Sequence, residues 1–85
     1  MPRNRSEKDL PTEVLPGGVR MWKDGRMRLH RENGPAIEWP DGEKNWYHHG
    51  ELHRYGGPAI ERSDGYKAWY VYNCFIRRED PNDAT

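Results

Sequence analysis

A stretch of 23 residues, from Leu29 to Glu51, is followed at once by a second stretch of the same length, from Leu52 to Cys74. The two copies are identical at 13 of their 23 positions. Written together, they read Leu-His-Arg-x-x-Gly-Pro-Ala-Ile-Glu-x-x-Asp-Gly-x-Lys-x-Trp-Tyr. Because a unit this short cannot bury an apolar face alone, the duplication predicts an array in which neighbouring units pack on each other.

The pattern continues in weaker form on both sides of the two clear copies. Upstream, the residues that align with the first copy at a shift of 24 are Pro11, Pro16, Gly18, Arg20 and Trp22. Downstream, the residues that align with the start of the second copy are Phe75, Arg77 and Pro81. We therefore predict a repeat domain over 11–78, with a degenerate copy over 11–28, copies over 29–51 and 52–74, and a truncated copy from 75. Flexible tails are predicted over 1–10 and, with acidic character, over 79–85.

Composition predicts a thin and mainly aromatic core. Only 33% of the residues are hydrophobic and the mean hydropathy is −1.27, so four Trp and five Tyr must supply much of the buried surface. A domain of this size is marginally stable alone, and an open array leaves strand edges unpaired. Both facts predict that a partner, or a homodimer formed through the edge strands, stabilises the chain.

Charge and cysteine usage bear on location. Residues 1–31 carry eight basic and four acidic side chains, whereas 32–85 carry six and ten, which gives about +4 against −4. The chain has neither an apolar run long enough for membrane insertion nor a signal-peptide pattern, and the single Cys74 excludes an internal disulfide. A cytoplasmic location is predicted.

The Asp-Gly pair in each copy predicts a hairpin turn between two short strands. A three-residue loop would place Glu38 opposite Lys44 and Ala36 opposite Trp46, whereas a two-residue loop would place Ile37 opposite Trp46. The first register is favoured because it gives a shared reason for the recurring Glu and Lys. The second copy repeats those pairs as Glu61 with Lys67 and Ala59 with Trp69.

A second turn follows the Trp-Tyr pair. Gly50 is matched there by Asn73 and, in the degenerate copy, by Gly25, which predicts a backbone position with positive φ. The Gly-Pro pair further along ends each set of strands, because proline cannot donate to a β ladder. The predicted fold is all-β, a meander of about three 23-residue β-hairpin repeats that form an antiparallel sheet.

The 23-residue period, the Asp-Gly turn, the Trp-Tyr pair and the Gly-x-Leu-His-Arg return resemble MORN-type repeat proteins, in a divergent form found in small phage and bacterial proteins. The likeness covers roughly Pro11 to Pro81, although His-Arg-x-x-Gly-Pro-Ala replaces the more regular Gly-x-Gly spacing. The resemblance implies a β-hairpin array that acts as a binding scaffold for proteins, and sometimes for lipid head groups, without chemistry of its own. For a phage protein of this size, it implies an inhibitor of a host or defence protein.

The histidines carry no motif of a catalytic or metal site. His30 and His53 occupy the same repeat position, which favours a scaffold role in packing or hydrogen bonding. His48 and His49 are adjacent, so on a strand they would point to opposite faces and chelate poorly. With no nucleophile motif or phosphate-binding glycine loop either, we expect no enzyme activity, no metal and no cofactor.

Recurring arginines allow two interpretations. Arg31, Arg54 and Arg77 either form a ladder for anions or stack on neighbouring Trp and Tyr rings, and stacking is favoured. A separate basic strip is the best signal for single-stranded nucleic acid or a nucleotide. Its candidate anion-binding residues are Arg20, Lys23, Arg26, Arg28 and Arg31.

Positions that differ between the copies are free to specify a partner. The candidate partner-binding residues among them are Trp39, Glu43, Tyr55, Arg62, Tyr66 and Tyr72. Aromatic side chains of this kind dominate protein interfaces, although filling gaps in a thin core is an equal alternative. The sequence thus predicts a non-enzymatic protein-binding module, and nucleic-acid binding through Arg20–Arg31 is the alternative.

Overall fold

The computed structural model describes residues 9–81, and over that range the chain is all β, with no helix. The strands are β1 (Glu13–Val14), β2 (Arg20–Met21), β3 (Ile37–Glu38), β4 (Lys44–Asn45), β5 (Tyr47–His48), β6 (Glu51–Leu52), β7 (Ile60–Glu61), β8 (Lys67–Val71) and β9 (Cys74–Glu79). Residues 9–81 contain no helix that could cross a membrane.

Seven strands form one antiparallel sheet in the order β1-β2-β3-β4-β7-β8-β9. The predicted all-β antiparallel meander is confirmed. Strands β5 and β6 leave this sheet and pair with each other as a separate two-stranded hairpin, after which the chain returns to place β7 beside β4. Each full copy therefore contributes one hairpin to the main sheet. The second turn of the first copy lies in the separate β5–β6 hairpin, whereas that of the second copy joins β8 to β9 within the main sheet.

The main hairpins have the register of the three-residue loop. Glu38 pairs with Lys44, and Gly42 has a φ of 100° in the loop between them. The second copy repeats the pairing with Glu61 and Lys67. The structure differs from the prediction for Ala36, which was expected opposite Trp46. The Ala36 N–H donates instead to the Asn45 carbonyl, at 2.8 Å.

The charge partner of the recurring glutamate is an arginine. Glu38 lies 3.2 Å from Arg31, and Glu61 lies 3.1 Å from Arg54. Within residues 9–81 neither glutamate makes an ion pair with the lysine across the strand. Those lysines are exposed, and the arginines lie seven residues earlier in the same copy. Register alone did not reveal this contact.

The second turn has positive φ at both central residues, which are His49 (47°) and Gly50 (88°) in one copy and Tyr72 (47°) and Asn73 (68°) in the next. This is the two-residue turn whose twist suits a hairpin. The prediction for Gly50 and Asn73 is confirmed.

In the degenerate copy the prediction for Gly25 is wrong. Met27 has the positive φ there, at 65°. The extra residue lengthens the turn, which closes with the Asp24 N–H donating to the Arg28 carbonyl and the Met27 N–H donating to the Asp24 carbonyl. The left-handed position therefore moves two residues further along the chain.

Three arginines stack on three tryptophans along the array. The guanidinium carbons lie 3.7 to 4.1 Å from the ring centroids in the pairs Arg31–Trp22, Arg54–Trp46 and Arg77–Trp69. Arg54 also donates to the Pro58 carbonyl at 3.0 Å. The stacking interpretation of the recurring arginines is confirmed, and each stack joins one copy to the start of the next.

The Gly-Pro pair makes room for these guanidinium groups. A Cβ on Gly57 would lie 2.9 Å from Arg54 Nη1, and one on Gly34 would lie 3.0 Å from Arg31. Beyond the glycine and proline, Ala36 and Ala59 are fully buried, and their carbonyls accept the backbone N–H groups of Trp22 and Trp46. The residues that recur in both copies thus contact one another.

The N-terminal boundary lies earlier than predicted. Asp9 was assigned to a tail, but its carboxylate pairs with Arg31 at 2.7 Å and its carbonyl accepts the Trp22 indole N–H at 2.8 Å. At the other end, β9 continues through Glu79. Residues 1–8 and 82–85 of the tails predicted over 1–10 and 79–85 lie outside the described residues.

Candidate functional site

All four histidines and two tyrosines gather on one surface, which we call the ring surface. Its members are His30, His48, His49, His53, Tyr55 and Tyr72. Neighbouring ring centroids lie between 3.8 and 6.3 Å apart. The surface combines the recurring histidine of each copy with residues that differ between copies.

The recurring histidine supports the second turn. His30 Nδ1 accepts the N–H of His49 at 3.0 Å, and His53 Nδ1 accepts the N–H of Tyr72 at the same distance. In each case the two rings also stack, at 3.9 Å and 3.8 Å. Because a backbone N–H can only donate, both Nδ1 atoms must carry a lone pair, and the proton of the neutral ring lies on Nε2. The scaffold role predicted for this position agrees with these contacts.

Two carboxylates form hydrogen bonds with ring nitrogens of His49 and His30. His49 Nδ1 lies 2.7 Å from Asp24, and His30 Nε2 lies 2.8 Å from Glu32. The hydrogen bond to His49 lowers the pKa of Asp24 strongly, and further bonds from the turn around Arg28 act in the same direction. The hydrogen bond to His30 likewise lowers the pKa of Glu32. Both carboxylates therefore stay ionised.

The expectation that His48 and His49 point to opposite faces is wrong. Their ring centroids are only 4.6 Å apart. The rule of alternation holds for two strand residues, but β5 ends at His48 and His49 has the left-handed conformation of the turn. Nitrogen atoms of His30, His48 and His49 consequently lie within 4.8 Å of one another.

The tyrosines form the most exposed part of the ring surface. Tyr55 is 73% exposed and Tyr72 is 44% exposed, and their rings meet edge to face at 6.3 Å. His53 lies against both, stacked on Tyr72 and edge-on to Tyr55. The pKa of Tyr72 is raised, first by the charge of Tyr55 and then by a side-chain hydrogen bond between the two residues. Tyr72 is therefore uncharged at neutral pH.

The structure separates the predicted partner-binding residues into two groups. Tyr55 and Tyr72 belong to the ring surface. Trp39, Glu43, Arg62 and Tyr66 flank the turns of the main hairpins, where Arg62 lies 4.8 Å above the Tyr66 ring. Tyr66 and Tyr72 bracket β8, so the two groups are roughly 20 Å apart along the strand. We call the second group the turn end.

Most of the predicted anion-binding residues are paired with acidic side chains. Lys23 contacts Glu13 at 2.8 Å, and Arg28 contacts Asp24 at 2.9 Å. Arg20 lies 3.7 Å from Glu38, which Arg31 contacts as well. For Arg26 the structure gives only a bond from its backbone N–H to Asp24. These ion pairs leave little unpaired positive charge that could contact the phosphates of a nucleic acid.

The ring surface was missed from the sequence, although part of its signal was present. Glu32 against Tyr55 and His48-His49 against Val71-Tyr72 are among the positions that vary between the copies. What the sequence did not reveal is that these positions converge, because in each copy the second turn folds back over the recurring histidine at the start of that copy.

Acid is expected to destabilise the fold through His53. Burial lowers the pKa of His53 from its ordinary value of 6.5; the charge of His48 lowers it further and that of Glu51 opposes this. The unfolded chain therefore takes up the proton first, so this contribution is complete above pH 6.5 and is lost as the pH falls toward the folded-state pKa. Protonation also removes the acceptor of the Tyr72 N–H, a loss on the order of 1 kcal/mol. Urea unfolding at about pH 7.5 and at about pH 5 measures the difference in stability. Higher stability at the lower pH would contradict the prediction.

Comparisons of the chain with protein-family models, with curated proteins and with solved structures gave no match. The resemblance to MORN-type repeats stays a prediction.

Proposed function

We propose that the chain is a non-enzymatic protein-binding module that contacts its partner through the ring surface, with Tyr55 and Tyr72 at the centre. The observation that carries the proposal is the exposure of these two rings at positions that differ between the copies. Tyrosine combines a large apolar area with a polar hydroxyl, and it is enriched at protein interfaces for that reason.

The tyrosine pair is held in place before any partner arrives. Tyr72 stacks on His53, which also accepts the Tyr72 N–H, and Tyr55 packs edge-on against the same ring. A side chain that is already ordered loses little conformational entropy on binding. Phe75 and Ile76, which are 55% and 56% exposed, add apolar area on the strand that follows the turn. Such a patch suits a protein partner.

The sharper form of the proposal is an inhibitor, encoded by a phage or mobile element, that blocks a host or defence complex. It rests on the resemblance to repeat proteins of phages and bacteria. Such a target would place the chain in the cytoplasm, where a free thiol such as the exposed Cys74 stays reduced. A homodimer through β9 finds less support, because Arg77 and Arg78 are exposed on that edge strand and charges there oppose pairing.

Nucleic-acid binding is less well supported. The groove beside the first tryptophan, about 660 Å³ in volume, is lined by Arg20 and Arg31 but also by Asp9 and Glu38. Phosphate contacts need unpaired positive charge, and here the acids already occupy the arginines.

A pair of double variants tests the protein-binding proposal. Tyr55→Ser with Tyr72→Asn removes the aromatic patch, and asparagine suits the positive φ at position 72. Arg62→Ser with Tyr66→Ser is the matched control at the turn end. In affinity capture from the source cell, we expect the first variant to lose at least about 2 kcal/mol of binding to the captured protein and the control to retain it.

Unchanged far-ultraviolet circular dichroism in both variants would show that the array is intact. Capture of the same protein at the same level by the Tyr55 and Tyr72 variant would contradict the proposed contact surface. Loss of capture only in the control variant would place the interface at the turn end instead.

A further inference from the structure

We propose that His30, His48 and His49 form a site for one divalent transition-metal ion of the zinc class. Their ligand nitrogens lie within 4.8 Å of one another, on one side of the second turn. Neutral imidazole is a ligand that zinc, nickel and copper prefer, whereas magnesium and calcium prefer oxygen.

The hydrogen bonds to carboxylates fix which nitrogen of His49 and which nitrogen of His30 carries the lone pair that an ion would use. Asp24 holds the Nδ1–H of His49, which leaves the Nε2 lone pair free. Glu32 holds the Nε2–H of His30, so the lone pair lies on Nδ1. Metal-binding histidines commonly donate their other ring N–H to a carboxylate, which orients the ring and raises its basicity. His48 has no hydrogen-bond partner for either ring nitrogen among residues 9–81.

The ion requires a small rearrangement of the turn. Zinc–nitrogen distances are about 2.0–2.1 Å, so the nitrogens of a tetrahedral site lie roughly 3.3 Å apart. The rings of His30 and His49 must therefore tilt out of their stack, which is open to solvent at His49, where 45% of the side chain is exposed. The His30 Nδ1 lone pair must also exchange the His49 N–H for the metal.

The scaffold does not require this cluster. In the second copy Val71 and Tyr72 replace His48 and His49, and Tyr55 replaces Glu32, yet His53 accepts the turn N–H in the same way. Three histidines and a carboxylate thus occur together in one copy, and His48, His49 and Glu32 occupy positions that the fold leaves free. That combination is independent of the partner-binding role of the tyrosines.

Calorimetric titration with zinc chloride tests the site on the full chain, purified without a histidine tag and carrying Cys74→Ser so that the thiol takes no part. We expect one Zn²⁺ per chain near pH 7.5 and no binding of Mg²⁺. His48→Val and His49→Tyr insert the residues that the second copy has at these positions, so they suit the fold, and each should abolish binding. Asp24→Asn should weaken the affinity about 10–100-fold.

Hydrogen exchange supplies a second readout. Zinc should speed exchange of the His49 amide, which loses its acceptor, and leave the Tyr72 amide unchanged as an internal control. No saturable zinc binding by the parent chain would overturn the proposal, as would equal binding by His48→Val. Zinc binding that leaves the His49 amide protected would overturn the role of His30.

Discussion

Replacing Trp22 by alanine is expected to lower the free energy of unfolding by about 3–5 kcal/mol. Trp22 is only 7% exposed, which is the lowest exposure of any aromatic residue over 9–81. Its indole lies under the Arg31 guanidinium and donates to the Asp9 carbonyl, so the change removes a buried ring, a stacked cation and a hydrogen bond together. Small domains have only a few kcal/mol in reserve. Urea unfolding followed by circular dichroism measures the loss.

Trp39→Ala is the matched control, because it removes the same side chain from the turn end. Trp39 is half-buried, and the hydrogen bond that it makes to Glu43 is through its backbone, which alanine retains. We expect a loss of about 1 kcal/mol or less. Equal losses of unfolding free energy for the two variants would mean that Trp39 belongs to the core. Trp39 would then fill a gap in the core and would not be a partner-binding residue.

Arg54→Ala is expected to cost about 2–4 kcal/mol, an unusually large effect for an arginine in a domain of this size. The guanidinium is stacked on Trp46 at 3.8 Å and donates to both Pro58 and Glu61. Arg54→Lys keeps the charge but lacks the planar group, so it should recover less than half of the loss. The pair of variants, measured by urea unfolding, separates stacking and hydrogen bonding from charge.

Adjacent glycines provide the control for the Arg54 prediction. A Cβ on Gly57 would lie 2.9 Å from the guanidinium, whereas one on Gly56 would meet nothing within 4 Å. Gly57→Ala should therefore displace Arg54 from its stack and cost about 1–2 kcal/mol, while Gly56→Ala should change stability by less than about 0.5 kcal/mol. If Gly57→Ala and Gly56→Ala changed stability equally, the Arg54 stack would not explain why position 57 is a glycine.

Repeated positions were the most predictable part of this chain. The Glu38–Lys44 register, the left-handed Gly50 and the stacking of Arg54 follow from local turn chemistry and from recurrence. A residue that occurs at the same place in each copy must serve a contact that each copy makes, so comparison of the two copies reveals scaffold residues without any relative of the protein.

Contacts between segments that are distant in sequence were not predictable in the same way. The Arg20–Glu38 ion pair and the Asp9–Arg31 pair depend on how the N-terminal part of the chain meets the first full copy. The shift of the left-handed position from Gly25 to Met27 depends on an extra residue whose effect on a turn is geometric. Neither appears as a pattern of recurrence.

The sequence alone determined the all-β class, the turn types and the residues that join successive copies, because those features depend on φ preferences and on spacing within one unit. Only the tertiary structure decided that the four histidines and the two tyrosines share one surface, and that acids neutralise the basic strip. The physical reason is that most of these contacts join residues far apart in sequence, such as His30 with His49 and Lys23 with Glu13. In each copy the second turn folds back so that one of its N–H groups reaches the histidine at the start of the same copy, and no local preference in the chain specifies this contact.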